Sequence, residues 1–136
     1  MGNSHSSTAK KEIILYRGTN CTAEFDAITA QQTAGGWPAG ASSNSLPTKE
    51  QVEHQKGTSG ECAPIPKDKA IDVTKFTPWV EYTRDLAIAR QFNRGGVVQI
   101  SVAEASVYIV EGDKLESGVF LHRSTPVDIK GAEAPK

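Results

Sequence analysis

Apolar residues gather in short runs along this chain, separated by turn-forming stretches, and the runs predict short strands with two modest helices among them. Ile13-Ile14-Leu15-Tyr16 is apolar without a break and ends at Arg17-Gly18, which reads as a strand over 12–16 delivered into a glycine turn. Thr22 is placed to cap a helix over 23–30, with Phe25, Ile28 and then Gln32 on one side. From 35 to 69 the periodicity lapses. Gly35-Gly36-Trp37-Pro38 opens this stretch and Pro64-Ile65-Pro66 lies near its end, so it reads as a long loop with a short helix around 49–54. A loop of that length in a compact domain is often a binding loop or a cover.

Order returns at Ile71-Asp72-Val73 and strengthens through 76–83. Thr83 is the expected cap of a helix over 84–93, where Leu86 and Ala89 lie three apart and Ile88 and Phe92 four apart. Asp85 suits the positive end of that helix, and Gly95-Gly96 stops it. Val98, Ile100 and Val102 then share one face of a strand over 97–102. Further short strands are expected over 106–110, 118–122 and 126–129. Many short strands with two helices indicate an α+β fold rather than a βαβ series.

With 136 residues the chain fits one domain, expected over 12–130, after a disordered lead or expression remnant at 1–11 and before a flexible tail at 131–136. The 15 basic and 16 acidic residues nearly cancel, so nothing in the charge balance suggests a broad nucleic-acid or membrane footprint, while leaving room for a small patch. No apolar stretch approaches the roughly 20 residues that cross a bilayer, and the first residues lack the hydrophobic run of a secretory signal. Cys21 and Cys62 are compatible with free thiols or with a disulfide. His5, His54 and His122 are too scattered to read as a metal site, and no metal is expected. Repeats, heptads, a dinucleotide glycine turn, a phosphate-binding loop and a serine hydrolase elbow are missing.

Arg17 stands out because a charged side chain sits where an apolar strand meets a glycine turn. Its guanidinium stays ionised and can grip phosphate oxygens with two prongs. The alternative is a strand-end arginine facing water. Trp37 lies in the long loop, where it either touches a substrate or partner or tethers the loop. Trp79 either lines a pocket or anchors the core, and Tyr82 either stacks on a ligand or packs at a strand end. Arg84, Arg90 and Arg94 form a charged helix face, with Arg84 closest in sequence to the candidate site.

Three landmarks stand in order: Tyr16-Arg17-Gly18 after the first strand, Trp79-Val80-Glu81-Tyr82-Thr83 before a helix with Ala87-Ile88-Ala89-Arg90-Gln91-Phe92, and Leu115-Glu116-Ser117-Gly118-Val119 before the late strands. Over residues 13–129 this resembles the ADP-ribosyltransferase superfamily, in particular the bacterial toxin and effector branch with an arginine, a serine or threonine strand motif and a glutamate. The resemblance implies a split mixed or antiparallel β core with peripheral helices. It implies NAD as substrate, held by Arg17, with Gly18 allowing close backbone approach and with Trp79 and Tyr82 beside the nicotinamide. Thr83 corresponds to the hydroxyl residue of the central strand, or Thr77 in a shifted register. Glu116 corresponds to the catalytic glutamate, whose fixed charge stabilises the sugar cation as nicotinamide leaves; Glu111 and Glu81 are alternative carboxylates.

Two departures from the family pattern are visible. Glu81-Tyr82-Thr83 stands where Ser-Thr-Ser is usual, and Lys114 stands where arginine-modifying members carry glutamate or glutamine. Lys114 therefore directs expectation to an acceptor other than arginine, with Trp37 and Arg84 as further recognition candidates. The implied activity is transfer of ADP-ribose from NAD to a protein or nucleic-acid acceptor. The alternatives are an NAD or NADP glycohydrolase toxin and a catalytically inactive interaction module. The resemblance further implies a monomer with no membrane insertion, secreted or delivered as part of a larger toxin, acting in the target-cell cytosol, and it allows for an immunity protein as partner.

Overall fold

A strand rich in β-branched residues, β3 (Val97–Ala103), runs antiparallel to β1 (Glu12–Gly18) over the whole length of both, with Glu12 opposite Ala103 and Gly18 opposite Val97. Paired residues of antiparallel strands share a face, so Ile13, Leu15 and Arg17 stand with Val102, Ile100 and Val98. This face carries the core. Val80 and Tyr82 of β2 (Trp79–Thr83) and Val119 and Leu121 of β5 (Gly118–His122) extend it across the sheet, and Ile28 of α1 (Thr22–Gln31) joins the same core. The computed structural model describes residues 11–39, 79–109 and 118–135. The expected helix at 49–54, most of the loop at 35–69, the stretch 71–78, and Cys62, Thr77, Glu111, Lys114 and Glu116 lie outside the described residues.

With β4 (Tyr108–Ile109) and β6 (Asp128–Glu133) the strands form one six-stranded sheet in the order β4-β5-β2-β1-β3-β6, and each of the neighbouring pairs is antiparallel. Two helices, α1 and α2 (Leu86–Gln91), flank it. This is the α+β architecture expected from the periodicity. The join between β1 and β2 is narrow. Among the described residues a single register pair links them, Tyr16 opposite Thr83, whereas β2 and β5 pair from Trp79 opposite His122 through Thr83 opposite Gly118.

Local chemistry corrects several boundaries. The cap of α1 is Cys21, not Thr22, which is already helical; the Cys21 sulfur accepts the Glu24 amide at 3.4 Å. The cap of α2 is Asp85, whose carboxylate accepts the Ala87 amide at 2.9 Å, while Thr83 sits two residues earlier and its Oγ1 accepts the Asp85 amide at 3.1 Å. A carboxylate is the stronger partner for the positive end of a helix. Gln32 ends α1 in the left-handed region, at φ 54°, and its amide returns to the Ile28 carbonyl. The strand expected at 106–110 starts only at Tyr108, as β4, because residues 104–106 form a 3-10 turn. β6 begins at Asp128 rather than at Pro126, which lacks an amide donor and makes only an isolated bridge with Thr33.

Candidate functional site

Arg17 leaves β1 on the core face and meets α1. Its Nη2 lies 3.2 Å from each carboxylate oxygen of Glu24, and its Nη1 donates to the Glu81 carbonyl at 2.8 Å. Both side chains are buried, 7% and 2% exposed, so the reading of a strand-end arginine facing water is corrected. One contact with Glu81 spans the place where the ladder between β1 and β2 has stopped. Arg17 thereby ties three elements together, β1, β2 and α1.

Glu24 is held from several sides: it accepts the Asn20 amide at 2.9 Å and stands 4.0 Å from Nη1 of Arg123. Burial by itself would raise its carboxyl. The Arg17 guanidinium, the Asn20 amide and Arg123 together outweigh burial and hold it below the usual carboxylate range. Arg123 is pushed down to about 10 by burial and by the charge of Arg17, which leaves it protonated at neutral pH. Tyr82 shares this polar layer. Its hydroxyl donates to the Ala34 carbonyl at 2.7 Å, and burial pushes its phenol up.

An aromatic cluster adjoins the charged one. His122 stands edge-on to both Trp37 and Trp79, with ring centroids 6.4 Å and 6.5 Å away, and the Arg123 guanidinium lies 5.9 Å from the Trp37 ring centroid. The Ser124 amide donates to His122 Nδ1 at 3.2 Å, with the Ser124 hydroxyl 2.9 Å from the same nitrogen, so Nδ1 is an acceptor and the ring carries its proton on Nε2. Burial and the Arg123 charge lower the His122 pKa. Trp37 is wholly buried, and Thr33 Oγ1 donates to its carbonyl at 2.6 Å. Of its two sequence readings, the tether describes its environment among the described residues.

The other candidates divide between two faces. Thr83 pairs with Tyr16, the neighbour of Arg17, so strand alternation puts Thr83 and Arg17 on opposite faces of the sheet. Thr83 is buried and its hydroxyl is engaged by the α2 turn. Trp79 and Glu81 are half-buried on the same face as Thr83, whereas Tyr82 belongs to the core face and Arg84 is exposed. Gly18 matters for packing: a Cβ there would collide with the Ala89 carbonyl and the Phe92 backbone, so its bareness admits α2. The glutamate and lysine candidates, Glu116, Glu111 and Lys114, lie outside the described residues.

Three residues of the cluster escape a reading by motif: Glu24, His122 and Arg123. A signal for Glu24 does exist, since Cys21-x-x-Glu24 has capping-box spacing, in which the third helical residue reaches back to the cap; here it reaches one residue further, to the Asn20 amide. For Arg123 the signal is its parity with Val119 and Leu121 on the core face of β5. Two donors in this region, Arg17 Nε and Trp37 Nε1, are buried and have no hydrogen-bond partner among the described residues. A separate depression of about 390 Å3 lies by the start of β1, lined in part by Glu12, Gln32, Ser101 and Asp128, and does not include Arg17. Among the described residues no group of three or more His, Cys, Asp or Glu side chains is placed to hold a metal ion. No described helix is long and apolar enough to cross a membrane. No family model matches the chain, and no curated protein matches it.

Proposed function

We propose that this domain binds NAD, expels nicotinamide and transfers ADP-ribose to a protein or nucleic-acid acceptor, as a toxin or effector domain with an ADP-ribosyltransferase-like fold. The observation that carries this reading is a line of register across three adjacent strands. Tyr16, the neighbour of Arg17, stands opposite Thr83, and Thr83 stands opposite Gly118, two residues after Glu116 in sequence. Tyr16, Thr83 and Gly118, each taken from one of three motifs far apart in the chain, thus stand on neighbouring strands. The narrow join of β1 and β2 agrees with a split β core.

In this reading Arg17 orients the diphosphate, Thr83 orders the strand end and Glu116 faces the developing sugar cation, which a fixed negative charge stabilises. Lys114 favours an acceptor other than arginine. The engagement of both terminal nitrogens of Arg17 by Glu24 and Glu81 favours the second reading, an interaction module that retained the scaffold.

Incubating the folded domain with NAD labelled in its ADP-ribose half and with whole-cell extract separates these readings. Labelled protein or nucleic acid, with stoichiometric nicotinamide, is the expected result. Free ADP-ribose without a labelled macromolecule would mean hydrolysis, and no nicotinamide at all would reject NAD cleavage. Glu116→Gln should then lose on the order of a hundredfold or more in turnover with its unfolding temperature unchanged.

A further inference from the structure

Arg17 has five N–H donors, and their use is uneven. Nη2 is spent on both oxygens of Glu24 and Nη1 on the Glu81 carbonyl, while Nε has no partner among the described residues although it is buried. Leaving a buried donor unmet costs about 1–3 kcal/mol. A guanidinium turned by half a revolution would present a different edge. It is held as it stands by the Glu81 carbonyl on Nη1 and by Glu24 on Nη2, and Glu24 is itself fixed by the Asn20 amide and flanked by Arg123.

We propose that Glu24 is a positioning residue: by gripping Nη2 from α1 it locks the Arg17 guanidinium onto β2 and leaves the Nε–H edge as the donor for an anionic oxygen of the ligand. The identity of that ligand as NAD rests on the function proposed above; the lock itself does not. The same geometry explains why the first turn of α1 carries a buried carboxylate at all. A structural ion pair needs only charge balance, whereas this carboxylate also selects which edge of its partner is free. Glutamine in its place keeps the volume and one acceptor but loses the charge-assisted grip. Aspartate keeps the charge and falls one methylene short.

The test has a ligand-free arm and a kinetic arm. In nitrogen-15 NMR of the whole chain, the Arg17 side-chain signals, assigned by their loss in Arg17→Lys, should show separate Nη resonances in the wild type, because rotation about the guanidinium bonds is blocked. Glu24→Gln should merge them while the amide spectrum stays folded. In nicotinamide release, Glu24→Gln should raise the KM for NAD about tenfold or more, the weight of one charge-assisted bond, with kcat changed by less than about threefold. Added formate should restore KM in Glu24→Ala by occupying the vacated carboxylate position. Separate Nη signals persisting in a folded Glu24→Gln protein would overturn the lock. Merged signals with an unchanged KM would overturn its role in ligand binding. Merged signals beside a wild type that releases no nicotinamide would uphold the lock and reject NAD.

Discussion

Glu24, in the first turn of α1, holds Arg17 of β1 with both carboxylate oxygens 3.2 Å from Nη2, and the two side chains are 2% and 7% exposed. A pair this deeply buried has excluded most of the water that would screen it, so the consequences of breaking it differ from those of a surface bridge.

Arg17→Ala is expected to destabilise the domain by about 3–5 kcal/mol, because it leaves the Glu24 carboxylate buried beside only part of its compensation. Replacing both members with apolar residues of similar volume, Arg17→Met with Glu24→Leu, should cost less than either single change. Urea unfolding of the three variants checks this. A single variant as stable as the wild type would show that the pair carries no such weight. Activity of Arg17→Ala must accordingly be measured per folded molecule, since lost turnover and lost fold arrive together.

Acid should weaken the fold in two stages. The folded-state pKa of His122 lies below its ordinary 6.5, so its contribution to stability is whole above 6.5 and declines as pH falls towards the folded value, where the unfolded chain takes up the proton first. Glu24 is likewise lowered, from 4.5, and its contribution is whole above 4.5 and lost as pH falls through the folded pKa. Urea midpoints from neutral pH downwards should fall first with His122 and then with Glu24. His122→Asn should flatten the upper stage and Glu24→Gln the lower. A wild-type midpoint that does not move between pH 7 and the carboxylate range would contradict the buried neutral histidine.

Gly18→Ala should destabilise the domain by on the order of 1–3 kcal/mol, the usual cost of forcing an extra carbon into close-packed structure. The added Cβ meets backbone atoms of Ala89 and Phe92, which cannot swing aside like a side chain. Thermal unfolding reads the effect directly. Wild-type stability in Gly18→Ala would mean that α2 does not approach β1 this closely, and would return Gly18 to a role in ligand approach.

Cys21 is disulfide-bonded, and the one other cysteine of the chain is Cys62. Reduction of the wild type should lower the unfolding free energy by about 2–4 kcal/mol. Cys21→Ser should match reduced wild type closely, since a serine oxygen caps a helix well. Cys21→Ala should lose about 1 kcal/mol more, because the Glu24 amide loses its acceptor as well. Identical unfolding midpoints for the serine and alanine variants would remove the capping role from Cys21.

The sequence by itself determined the parts: an α+β chain, strands at β1, β3 and β5, and two helices close to α1 and α2. These follow from short-range rules, the two-residue alternation of Val98, Ile100 and Val102, the apolar run into Gly18, the stop at Gly95-Gly96, and all of them are written in neighbours along the chain. Errors fell where two local partners compete. Thr22 and Cys21 are adjacent candidates for one cap, and Thr83 and Asp85 for another; the choice depends on which oxygen or sulfur the turn brings to the amide. Tertiary structure alone decided the partners. Arg17 has the same sequence context whether its guanidinium meets water, a ligand or Glu24, and only the docking of α1 on the core face selects the last. Trp37 reads as a loop residue because glycine and proline surround it, yet packing against His122 and Arg123 from the far end of the chain buries it. Periodicity reports which side of an element is apolar, whereas the identity of a contact is set by the element that arrives on that side, and that information is spread over residues far apart in sequence.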